Sequence, residues 1–135
     1  MQTDHLVMLV VLTALLLTTA APLRPDSVDE PGAIIVRNEY WAKPGLEDEV
    51  YAHRLHASAV RARLGLATGR VLRRLGDAED RPDVVWECEY SSLEAREADI
   101  SALHASGEFK PVMEKMGTLI DRFERSVWRV ASGDE

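Results

Sequence analysis

"DVVWECEYSSLEA", residues 83–95, is a strand that runs straight into a capped helix, and the rest of the chain can be read outward from it. Val84, Trp86, Cys88 and Tyr90 alternate with Val85, Glu87 and Glu89, so one row faces an apolar layer and the other a more polar one. Ser91 or Ser92 caps a helix reaching about Ala105, with Leu93, Ile100 and Leu103 on its inner face.

The same order occurs upstream. "AIIVRNEYW" (33–41) is rich in β-branched and aromatic residues and reads as a strand, which Pro44 and Gly45 end. Leu46, Val50, His53, Ala57, Val60 and Leu64 then recur at helical spacing. Glu47, Asp48 and Glu49 in the first turn and Arg61 and Arg63 in the last suit the helix dipole, and Gly65 closes the helix. "ATGRVLRRLG" (67–76) is a more polar strand. After the second helix, Phe109, Val112, Met116, Leu119 and Phe123 are spaced for a further short helix, and "ERSVWRV" (124–130) is the last strand.

Strand–helix–strand, twice, with right-handed crossovers puts both helices on one face of a four-stranded antiparallel sheet. The expected fold is therefore α+β, ferredoxin-like βαββαβ. The opposite face would expose Ile35, Trp41 and Val85 among charged residues. With no helix left to cover it, a second copy of the chain is expected there, making a homodimer.

The chain has 135 residues, 46% of them apolar, and a net charge of −7. That balance disfavours nucleic acid or an anionic membrane as partner, since both recruit basic surfaces. The apolar run "LVMLVVLTALLL" (6–17) and the small residues "TTAA" (18–21) read as a signal peptide over 1–20, with cleavage before Ala21 and export to the periplasm or medium. The segment "MQTDH" ahead of it lacks Lys and Arg, which keeps an uncleaved membrane anchor open as the alternative. Residues 21–32 read as a flexible spacer, 33–131 as the domain and 132–135 as a tail. The single cysteine, Cys88, falls on the apolar row of its strand and reads as a small buried hydrophobe.

Three stretches carry a family resemblance: "VRNEYWAKPGLEDEV" (36–50), "VVWECEYSSLEA" (84–95) and "GEFKPVMEKM" (107–116). The chain resembles the dimeric α/β-barrel superfamily, and the "KPG" ahead of an acidic helix is similar to NIPSNAP-like members. The resemblance implies two protomers that close their sheets into one barrel. It leaves several chemistries open, among them cofactor-independent monooxygenation of quinols or antibiotic precursors, haem degradation, and no reaction at all. Asn38 matches in placement a first-strand Asn of the haem-degrading relatives. Their His after the Phe-Lys pair is missing from Phe109-Lys110-Pro111-Val112-Met113, so no cofactor is expected.

The candidate site is Asn38, Tyr40, His53, Trp86 and Tyr90, expected to converge between helices and sheet as a pocket for a small apolar or aromatic molecule. His53 is the one candidate catalytic base, and the alternative reading as a cofactor-independent monooxygenase rests on it. Whether the protein is an enzyme is left open. His53 and His56 alone are a weak metal signal, and no metal is expected. Arg37, Glu39, Arg73, Glu87, Glu89 and Arg125 or Arg129 are expected on the outer face as a salt-bridge ladder.

Overall fold

The structure is a computed structural model and describes residues 32–132; the expected signal peptide, and all of the spacer but Gly32, lie outside the described residues. Its elements are β1 (Ile34–Ala42), α1 (Glu47–Arg63), β2 (Arg70–Arg73), β3 (Val84–Tyr90), α2 (Leu93–Ala105), α3 (Lys110–Leu119) and β4 (Ile120–Arg129). The four strands form one antiparallel sheet in the order β2-β3-β1-β4. The two hydrophobic strands thus lie in the middle, and the polar β2 and β4 form the edges.

Local chemistry explains the corners. Leu46 N–H bonds to Lys43 C=O across Pro44 and Gly45, and Gly45 has φ 82°, as a tight turn with Pro then Gly requires. Gly65 takes φ 71° while Leu66 N–H reaches back to Arg61 C=O, which closes α1. Ser92 is the N-cap of α2, its Oγ accepting from Ala95 N–H at 3.0 Å.

The inner face of the sheet carries Ile34, Val36, Asn38 and Tyr40 from β1 and Val84, Trp86, Cys88 and Tyr90 from β3, all buried. Val50, Ala57 and Val60 of α1 and Val112 and Met116 of α3 complete the apolar layer. Cys88 is free and buried, and burial raises the pKa of its thiol, as expected of a core residue.

Two elements differ from expectation. β2 is four residues long, because residues 67–69 form a loop whose polar groups are taken by the core: Ala67 N–H bonds to Asp99 and Thr68 C=O accepts from the Trp86 indole at 2.8 Å. β4 starts at Ile120, so Phe123 belongs to a strand and not to the preceding helix. The cause is tertiary: Phe123 and Arg122 sit opposite Tyr40 and Trp41, and ladder bonds outweigh the local helical spacing. A register shift between Trp41 and Ala42 marks where that ladder ends.

The outer ladder is narrower than expected. Glu87 lies between Arg37 and Arg70 on the neighbouring strands, 3.6 Å and 2.5 Å away, and Arg122 pairs with Glu124. Arg73, Arg125 and Arg129 are not part of it: their register places them on the helix side, opposite Val84, Asn38 and Ile34.

Gly69 has φ 61°, and a Cβ there would lie 2.4 Å from Glu87 C=O and 2.6 Å from the Trp86 indole nitrogen. Gly69→Ala is expected to destabilise the fold by about 1–3 kcal/mol or more, from left-handed backbone strain and the clash together. Urea denaturation read by tryptophan fluorescence checks this.

Candidate functional site

Beneath α1 the sheet does not close fully against the helices. A cavity of about 450 Å³ lies there, lined by Asn38, Tyr40 and Phe123 from the sheet, Arg54 and Arg61 from α1, and Met116 from α3, among others. Trp86 forms part of its floor and His104 and Arg125 part of its wall. Tyr40 and Phe123 meet at 5.3 Å in a tilted aromatic pair.

Of the five expected site residues, Asn38, Tyr40 and Trp86 line this cavity. His53 does not. Its Nε2–H donates to the Val112 carbonyl at 2.7 Å, which ties α1 to α3, and its ring stacks on His56 at 5.8 Å in a separate outer groove. The reason is helical rotation: each residue turns about 100°, so His53 and Arg54 point in different directions, and it is Arg54 that faces the cavity. A base that would act on a molecule in the cavity is therefore not His53. Tyr90 is also displaced: its hydroxyl donates to Asp99 at 2.8 Å, and burial with that bond holds the phenol well above its usual pKa.

The residues the pattern did not single out are the arginines. Val50, Arg54, Ala57 and Arg61 are spaced four, three and four apart, and all four are buried. The Arg61 guanidinium bonds to Asp99 at 2.7 Å and to Ala67 C=O at 3.2 Å, and it also lies 5.0 Å from the Trp86 ring centre. Asp99 accepts from Arg61, Tyr90 and Ala67 N–H. Burial pushes its pKa up, yet these three bonds outweigh burial and the carboxyl ends below its ordinary range.

Arg54 is only 3% exposed and sits over Trp86 at 4.7 Å. No carboxylate and no hydrogen-bond acceptor among the described residues reaches it, and its Nε is buried without a partner. Burial draws its pKa down to about 10, so it is still a cation at neutral pH. Arg125, exposed as a whole residue, donates through Nε to Asn38 Oδ1 at 2.8 Å; partial desolvation and then nearby Arg96 lower its pKa. No Asp or Glu among the described residues lines the cavity.

A NIPSNAP family protein from Agrobacterium tumefaciens superposes with a TM-score of 0.57 at 14% identity, over 78% of this chain and 91% of that one. The fold is ferredoxin-like. A dimeric ferredoxin-like protein from an uncultured marine organism gives 0.56 at 12% identity, over 81% and 96% of the two chains. SnoaB from Streptomyces nogalater, a cofactor-independent oxygenase, gives 0.55 at 17%, over 75% and 95%. No family model and no curated protein matches the chain. At such identities the likeness extends to topology alone.

Asp99→Ala would leave Arg61 buried and unpaired, and is expected to cost about 3–5 kcal/mol. Because the folded-state pKa of Asp99 is depressed, its contribution is complete above the unfolded value of about 4 and is lost as pH falls below that. Asp99→Asn should therefore flatten the acid limb of a stability–pH profile measured by urea denaturation.

Proposed function

We propose that the protein is an exported homodimer of NIPSNAP-like build that binds a small apolar or aromatic molecule in the cavity under α1. The observation that carries this reading is the cavity itself: a space of about 450 Å³, walled by aromatic, methionine and aliphatic side chains with a few polar groups, is the size and lining that small-molecule sites have. Binding is favoured over catalysis by His53, because that residue lies in the outer groove with its Nε2–H bonded to the Val112 carbonyl.

The homodimer is supported by the open sheet face. Leu72 and Trp128 are exposed there at 39% and 59%, and the buried Trp41 Nε1 and Arg37 Nε on the same face lack hydrogen-bond partners. A second sheet laid on this face would cover the apolar groups and supply acceptors. Related folds described as dimeric agree with this. Export is supported by residues 6–21 of the sequence.

Two experiments test the reading. Isothermal titration with a panel of bicyclic aromatics, neutral and acidic, should give saturable binding to the wild type. Met113→Trp, placed on the cavity wall at a residue 55% exposed, should reduce that binding about tenfold or more while leaving stability nearly unchanged. No saturable binding by any member of the panel would sink the cavity reading. Native mass spectrometry of protein recovered from the exported fraction should show dimers of a chain beginning at Ala21, and Leu72→Asp should shift them to monomers. A wild-type monomer at micromolar concentration ends the dimer proposal, and a chain that keeps residues 1–20 ends the cleavage proposal.

A further inference from the structure

The cavity is apolar in its walls and cationic in its charge, and those two facts constrain what fits. Arg54 and Arg125 both line it, and neither has a carboxylate partner among the described residues. Arg61 lines it too, but its charge is answered by Asp99. Asp99 does not line the cavity, and both of its oxygens are already engaged, by Arg61 and Tyr90 on one and Ala67 N–H on the other. His104 is the remaining titratable group on the wall, apart from the Tyr40 phenol, and it adds no negative charge.

Leaving a guanidinium buried and unpaired is among the more costly arrangements a fold can retain, and in a chain of net charge −7 carboxylates are plentiful. None of those among the described residues is placed against Arg54. The indole of Trp86 offers a cation–π contact at 4.7 Å, which is weaker than an ion pair and leaves the planar N–H edge of the guanidinium without acceptors. A planar two-oxygen anion would supply them.

We propose that the ligand is an apolar or aromatic carboxylate whose carboxylate group is received by Arg54, with Arg125 as a second cation, and whose hydrocarbon body lies against Phe109, Met116 and Ile120. This rests on the cavity reading above and names the chemical class that cavity takes. Arg54 forms the two-pronged contact, Arg125 is held in place by its bond to Asn38, and Trp86 provides a flat surface beneath Arg54. Asn38 thereby acts through Arg125, as a positioning residue.

The test compares 2-naphthoate with 2-naphthamide, which match in shape and differ in charge, by isothermal titration on the protein recovered from the exported fraction. 2-Naphthoate should bind about tenfold or more tightly than the amide. Arg54→Met should abolish that preference while leaving amide binding within about twofold, and should raise the melting temperature of the ligand-free protein, because an uncompensated buried charge is replaced by an apolar side chain of similar length. Equal binding of acid and amide by the wild type overturns the carboxylate inference and leaves the cavity reading standing. Binding of neither overturns both. If Arg54→Met does not unfold cooperatively, Arg125→Met takes its place: a preference that survives at full strength in that variant removes Arg125 from the site and contradicts the two-cation arrangement.

Discussion

The Arg61–Asp99 pair is the constraint on which the interior depends. It joins α1 to α2, and through Ala67 N–H and Tyr90 it also fixes the loop after α1 and the end of β3. A buried ion pair is seldom a strong source of net stability compared with an apolar contact, and its usual contribution is to specify one arrangement over others. Here four separate segments share one carboxylate. That sharing keeps the loop 67–69 close enough for Thr68 to accept from Trp86, so the position of the indole follows from a charge interaction made several residues away.

Much of the architecture could be read from local pattern, because sheet burial imposes a period of two. Val84, Trp86, Cys88 and Tyr90 are buried where alternation places them, and Pro44-Gly45 and Ser92 act at the corners where their chemistry assigns them. The start of β4 could not be read in this way. Phe123 fits the helical spacing of the residues before it, and only the pairing with Tyr40 makes it extended.

The interior charges were illegible for a different reason. Arg61 at the end of a helix has a sufficient local explanation in the dipole, and an arginine is usually exposed. Its burial depends on Asp99, thirty-eight positions away in sequence. Arg54 has no carboxylate partner among the described residues to announce it. The distinction between His53 and Arg54 is one step around a helix, which a spacing argument on a broad apolar stripe does not resolve. At this step of α1 the side chain that faces the cavity is thus a guanidinium where the sequence pointed to an imidazole.

The sheet order leaves β4 as an edge, ten residues long and so the longest of the described strands. An edge of that length is a template on which another chain's strand can add, and fibrous aggregation starts from such templates. Asp121, Arg122, Glu124, Arg125 and Arg129 are distributed along it, with both signs of charge and no apolar run longer than Val127-Trp128. A foreign strand laid alongside would meet charges of either sign on both faces, and few registers would pair them all. The polar character that made β4 hard to delimit by pattern is, on this view, also what keeps its exposed backbone from recruiting further strands.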